Sequence, residues 1–178
     1  MSPIRFASMA TILLLAIATV AHAQDEGADS YAGPAGFPDL VGGLRAIEGN
    51  LGVETAETAS GKQVIFAWFE DKAAVLRWYY SEMHRGVQDQ FFPDRPPHTP
   101  LEYVPDDTGP IMVVASITMA DSARFAATSL PISQIAIELY APLPAGLSLG
   151  GRFAPAEMEV PHLINYDEEM KAENEEEY

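Results

Sequence analysis

Cysteine is absent from this chain, and several features that would assign a function are absent with it. Without cysteine there is no disulfide framework, no thiolate ligand for a metal and no lipid attachment site behind a leader peptide. The sequence also has no Walker-type glycine loop and no dinucleotide-binding glycine fingerprint. The domain must therefore be held together by an ordinary hydrophobic core, and we expect neither a cofactor nor a metal.

Basic residues are scarce. The chain has 10 Lys and Arg against 26 Asp and Glu, for a net charge of −16. Such a charge repels phosphate groups, so nucleic acid and anionic membrane surfaces are poor partners. Seven of the acids lie in the last 12 residues, and we interpret residues 161–178 as an acidic, disordered tail.

Long apolar runs are confined to the N-terminus. Residues 1–23 combine Arg5, an apolar run over 12–20 and the sequence Ala21-His22-Ala23, which is the pattern of a cleaved secretory signal peptide. The run is too short to span a bilayer. We therefore expect an exported protein, periplasmic or extracellular, without membrane attachment after cleavage. A flexible leader over 24–36 and a single α+β domain over 37–160 follow.

The domain alternates helix-like and strand-like patterns. Apolar residues from Leu40 to Ile47 predict a helix of about three turns that ends near Gly49. Asp71 suits the N-cap of a second helix over 72–88. Strands are predicted at 51–58, 62–69, 111–119 and 133–140, with the first two joined as a hairpin. A loop with five Pro between Phe92 and Pro105, a short helix over 121–128 and a last strand near 147–155 complete the prediction.

Two surfaces require a partner. In the second helix Leu76, Tyr80, Met83 and Val87 are spaced to form one continuous buried stripe. The strand at 62–69 is apolar on both faces, so it must be covered twice. The next helix is expected to cover one face, and a second sheet, a partner subunit or a ligand the other.

Aromatic side chains gather around the second helix. Trp68 ends a strand, Trp78, Tyr79 and Tyr80 follow on the helix, and Trp78 lies off the buried stripe. Such surplus aromatic surface is typical either of a second interface or of a ligand pocket. Tyr140 is a further candidate lining residue at the end of the last long strand.

Two residues are candidate general bases. His84 follows Tyr80 by one helical turn, where a neutral imidazole can accept a proton near neutral pH. Glu138 lies on a largely apolar strand and either faces solvent or lines a cavity that raises its pKa. His98 lies in the Pro-rich loop. His162 precedes Asp167 and Glu168, whose carboxylates are potential metal ligands, but an isolated histidine near acids usually binds no metal.

Three stretches carry a family resemblance: a helix ending in EGNLGVE, a hairpin ending in FAWFED and a helix reading AAVLRWYYSEMHRG. Together they resemble the antibiotic biosynthesis monooxygenase-like superfamily of dimeric α+β barrels over about Asp39 to Gln88. The positions that carry the resemblance are Gly49, Gly52, Trp68, Trp78, Ser81 and His84.

The resemblance implies a ferredoxin-like antiparallel sheet, with helices on one face and the sheet of a second copy on the other, hence a homodimer. Some relatives oxidise polycyclic aromatic substrates without a cofactor, and others degrade haem. Gln88 stands where haem-degrading relatives carry an axial His, so haem degradation is not supported. No clear first strand precedes Leu40, which departs from the family pattern.

The sequence as a whole favours an exported α+β domain that self-associates and binds a small apolar or aromatic ligand. One alternative is a cofactor-independent monooxygenase, in which Trp68 and Trp78 hold an aromatic substrate and His84 or Glu138 removes a proton. Another is an acidic module that binds a basic protein.

Overall fold

The computed structural model describes residues 38–167. The predicted signal peptide, the leader and the tail beyond residue 167 lie outside the described residues. Within them, no helix is long and apolar enough to cross a membrane. The elements are α1 (Leu40–Arg45), β1 (Asn50–Glu57), β2 (Lys62–Phe69), α2 (Lys72–Tyr79), α3 (Glu82–Phe91), β3 (Ile111–Met119), β4 (Ile132–Tyr140), β5 (Leu147–Ser148) and β6 (Ile164–Asn165).

Four long strands form one antiparallel sheet, and their spatial order β1-β2-β3-β4 repeats the chain order. The α+β class and the four long strands agree with the sequence prediction. The hairpin between β1 and β2 closes at Gly61, whose φ of 78° suits a residue without a side chain. Because every pairing joins chain neighbours, the sheet is a meander, and split βαβ crossovers are not among its connections.

The first helix is shorter than predicted. Asp39 caps it by accepting a hydrogen bond from the Gly42 amide at 2.8 Å, but α1 ends at Arg45. Two consecutive glycines in a six-residue helix lower its intrinsic stability, because glycine loses more backbone freedom than other residues. The chain then turns into β1 through Gly49, whose φ is 82°.

The predicted single helix over 72–88 is wrong, because the chain breaks between α2 and α3. Ser81 adopts an extended backbone conformation, and its hydroxyl accepts a hydrogen bond from the His84 amide at 3.2 Å. It thus caps a new helix, as serine commonly does. The break also disrupts the predicted stripe: Tyr80 is 49% exposed and Met83 37% exposed, while Val87 is buried.

The main core lies between the sheet and helices α1 and α2. Ile65, Ala67 and Phe69 of β2 point into it, and Trp78 of α2 is buried there with only 9% of its surface exposed. Trp78 is therefore core and not the surplus aromatic surface that the sequence predicted. A smaller cluster beneath α3 contains Val87, Phe91, Leu130 and Ile132.

The opposite face of β2 is covered, at least over Phe66 and Trp68, by a later segment of the same chain. The Phe153 ring lies edge-on to Trp68 and Phe66, with centroid distances of 4.9 and 5.0 Å. Pro155 packs over Gly52 of β1. The Arg152 guanidinium holds this covering segment together by donating to the carbonyl oxygens of residues 155, 156 and 158.

Three smaller predictions also change. The segment 121–128 contains no helix. The strand expected near 147–155 is limited to β5, which pairs in parallel with β6. Residues 161–167 belong to the predicted tail, yet β6 lies within them, and the Asp167 carboxylate accepts a hydrogen bond from the Gly150 amide at 3.0 Å.

Candidate functional site

A groove of about 460 Å³ lies between α3 and the Pro-rich loop that follows it. The helical side contributes Tyr79, Tyr80, Arg85, Gln88 and Asp89, and the loop contributes Arg95, His98 and three Pro. This volume is within the range of pockets that bind small molecules. The loop predicted as irregular thus forms one wall of a concave surface.

The helical wall follows from residue spacing. Arg85, Gln88 and Asp89 are three and four positions apart on α3, so they project from one face of that helix. The other face carries Val87 and Phe91, which are buried in the smaller cluster. Packing of that apolar face therefore fixes the orientation of the polar face toward the groove.

Three aromatic rings of the groove lining contact one another. Tyr79 lies edge-on to both Tyr80 and His98, at centroid distances of 5.1 and 5.7 Å. The Tyr79 hydroxyl is 3.1 Å from His98 Nε2. Since His98 Nδ1 faces the Pro96 carbonyl, the tautomer with its hydrogen on Nδ1 leaves Nε2 to accept from the tyrosine.

His84 contacts Tyr79 but does not line the groove. Its ring is 5.2 Å from those of both Tyr79 and Trp78, and its Nδ1 is 2.9 Å from the Tyr79 carbonyl oxygen. A carbonyl only accepts, so Nδ1 donates and Nε2 keeps its lone pair. Burial lowers the pKa of His84 below its usual value; the Tyr79 carbonyl opposes this and the charge of Arg95 adds to it. The imidazole is thus neutral at neutral pH.

The charges that line the groove are unevenly compensated. The Arg95 guanidinium forms a salt bridge with Asp89 at 3.0 Å and also donates to the Phe92 carbonyl. Arg85 instead places its guanidinium over the Tyr80 ring, 5.2 Å from the centroid. Within residues 38–167, no carboxylate lies within 4.0 Å of Arg85. One cation of the groove is therefore left without an acidic partner in this part of the chain.

The structure separates the predicted site residues into two groups. Tyr79 and Tyr80 line the groove, and His84 contacts Tyr79 without lining it. Trp68 is 2% exposed beneath Phe153 on the far face of the sheet. Tyr140 and Glu138 lie exposed on that same far face, in the edge strand β4. His84 and Glu138 consequently do not share a cavity.

Several groove residues escaped the sequence prediction, namely Arg85, Gln88, Asp89 and Arg95. The sequence does contain a pattern that indicates them. Gln88 and Asp89 follow Arg85 by three and four positions, and an Arg and a His follow in the Pro-rich loop. The sequence did not reveal this face because it was interpreted as one continuous helix over 72–88. In such a helix these residues would point in other directions than they do in α3. In the same described region, no three His, Cys, Asp or Glu side chains are arranged to hold a metal ion.

No known protein family, curated protein or solved structure matches this chain.

Proposed function

We propose that the protein is an exported binding domain whose groove holds a small aromatic ligand. The observation that carries this proposal is a groove of about 460 Å³ that is lined by the rings of Tyr79, Tyr80 and His98 together with three Pro side chains. Aromatic ligands stack against such walls, and a stacked ring pair contributes about 0.5–1.5 kcal/mol beyond the area it buries.

Binding without chemistry is what this geometry supports best. A proton-abstracting base should reach the bound ligand, yet His84 is not among the groove-lining residues and Glu138 lies on the far face of the sheet. The lining side chains offer stacking surface and hydrogen-bond donors. The cofactor-independent monooxygenase therefore remains the weaker proposal, together with the family resemblance that suggested it.

The binding proposal can be tested with the neutral fluorescent probe N-phenyl-1-naphthylamine. Titration of the full chain should give saturable fluorescence enhancement, and Tyr80→Ala should weaken binding several-fold because it removes an exposed groove wall. Tyr103→Ala is the matched control, since Tyr103 is 92% exposed and does not line the groove. Equal binding by all three proteins would place the probe elsewhere and refute the proposal.

Self-association is the second part of the proposal, and we assign it to the edge of β4. This strand pairs with β3 on one side only, and Ile135, Ile137 and Leu139 form an exposed apolar row on its helix-side face. It carries neither Lys nor Pro, the residues that commonly protect edge strands. A dimeric barrel would instead use the far face of the sheet, part of which Phe153 and Pro155 already cover.

The β4 sequence is complementary to itself. In an antiparallel pair centred on Ile137, Ile135 lies opposite Leu139 of the second copy, and Ile137 opposite its own equivalent. Glu138, the one charged residue of the strand, then lies opposite Ala136. A pair centred on Glu138 would instead place the two Glu138 carboxylates opposite each other. Charge repulsion therefore favours the register centred on Ile137.

A further inference from the structure

We infer that the ligand of the groove carries a negatively charged group next to its aromatic ring, and that Arg85 binds this group. The inference rests on the proposed function and adds the chemical class of the ligand: an aromatic carboxylate, phosphate or sulfonate. It depends on how the charged side chains of the groove are paired.

The guanidinium of Arg85 has N–H donors that no acceptor occupies within residues 38–167. A guanidinium is planar and carries five N–H donors around its edge. The face of Arg85 lies over the Tyr80 ring, and such a cation–π contact leaves the edge available for an acceptor. An aromatic acid that stacks in the groove would present its charged group to this edge.

The other lining charges do not compete for that position. The Asp89 carboxylate is paired with Arg95 at 3.0 Å, so the two nearly cancel. Gln88 is neutral and offers amide donors on the same face of α3. With Arg85 included, the Arg and Asp side chains of the groove sum to one positive charge.

This local charge contrasts with the net charge of the whole chain, which is −16. The overall field opposes an approaching anion, but salt screens exposed charges beyond about 8 Å at physiological ionic strength. Within the groove the adjacent guanidinium therefore outweighs more distant carboxylates. Charge-assisted hydrogen bonds of Arg to carboxylate or phosphate are also about twice as strong as neutral ones.

A pair of matched probes separates the charge from the ring. 8-Anilinonaphthalene-1-sulfonate has the ring system of N-phenyl-1-naphthylamine with an added sulfonate. For the full chain, we expect Arg85→Gln to weaken binding of the sulfonate probe about tenfold, as loss of a hydrogen bond to a charged group would. Binding of the neutral probe should change less than about twofold, because the aromatic walls remain.

Two variants control for the overall charge. Arg124→Gln removes the same charge from an exposed loop outside the groove, and it should leave both affinities unchanged. Asp89→Asn removes the acidic partner of Arg95, and it should strengthen binding of the sulfonate probe alone. Circular dichroism of each variant confirms that the fold is retained.

Competition identifies the anionic group. Benzoate and phenyl phosphate should displace the sulfonate probe at concentrations at which benzyl alcohol does not, and the stronger competitor names the preferred acid. If benzyl alcohol competes equally, or if Arg85→Gln affects both probes alike, the inference is wrong. Loss of neutral-probe binding in Tyr80→Ala would still support the proposed function in that case. Failure of Tyr80→Ala to affect either probe would refute both.

Discussion

The hydroxyl of Tyr79 lies 3.1 Å from Nε2 of His98 and joins the end of α2 to the Pro-rich loop. The two walls of the groove are thus joined by this hydrogen bond and by the salt bridge between Asp89 and Arg95. We expect Tyr79→Phe to loosen the loop and weaken N-phenyl-1-naphthylamine binding about two- to tenfold, since a hydrogen bond contributes about 0.5–1.5 kcal/mol. Fluorescence titration measures this change. An unchanged affinity would show that the loop is held without this contact.

His84 should make stability depend on pH. Burial lowers its pKa in the folded protein below the 6.5 of an unperturbed imidazole, so the unfolded chain takes up the proton first as pH falls. The contribution of His84 to stability is therefore present above about pH 6.5 and is lost as pH falls below that value. Urea unfolding at pH 7.5 and 5.5 should show a smaller pH effect in His84→Gln than in the wild type.

A surface histidine provides the control for that experiment. His162 is exposed and has a φ of 59°, which Asn tolerates. His162→Asn should keep the full pH effect of the wild type. If His84→Gln also keeps it, the change arises from other groups.

Phe153 should stabilise the protein although it is 61% exposed. Its ring covers Trp68 and Phe66, so Phe153→Ala is expected to cost about 1–2 kcal/mol in the free energy of unfolding. Tryptophan emission should shift to longer wavelength as Trp68 gains contact with water. Leu143→Ala is the comparison, because Leu143 is more exposed and lies outside the covering segment. Equal stability and emission in both variants would contradict the packing.

Two glycines should respond in opposite directions to substitution by alanine. A Cβ at Gly52 would lie 2.6 Å from Pro155 Cγ, so Gly52→Ala should push the covering segment away and cost about 1–3 kcal/mol. Gly86 is inside α3 with open space around it, so Gly86→Ala should stabilise by about 0.5–1 kcal/mol. Thermal unfolding of the two variants measures both effects, and shifts of the same sign would contradict this account.

Ile137→Lys should prevent self-association. Ile137 is 60% exposed at the centre of β4, and a lysine there would face its own equivalent in the paired dimer. Sedimentation velocity should give a dimer for the wild type and a monomer for the variant. Leu143→Lys adds the same charge outside the strand and should leave the dimer intact. A monomeric wild type would refute the edge pairing.

The four long strands were predictable from the alternation of apolar and polar residues and from β-branched residues, because both are visible in the local sequence. The break at Ser81 was not, since the apolar residues on either side fit one helix equally well. The cover over Trp68 was also missed. Phe153 and Pro155 lie in a segment without periodicity, and their role depends on contacts distant in sequence.

The groove was predictable only in part, because some of its residues are recognisable from the local sequence and others are not. Tyr79 and Tyr80 of the groove, and the adjacent His84, were candidates by residue type alone. Arg85 and Arg95 looked like ordinary surface charges, and their significance depends on which of them has an acidic neighbour. That information is three-dimensional.

The covering of β2 by Phe153 has a consequence for biosynthesis. Phe153 follows Trp68 by 85 positions. At about 5–20 residues per second of translation, roughly 4 to 17 s pass between the two. During that interval the growing chain contains β2 but not yet the Phe153 ring that covers one of its faces. The segment around Phe153, which is synthesised after all four strands of the sheet, therefore completes a layer that begins with the β1–β2 hairpin.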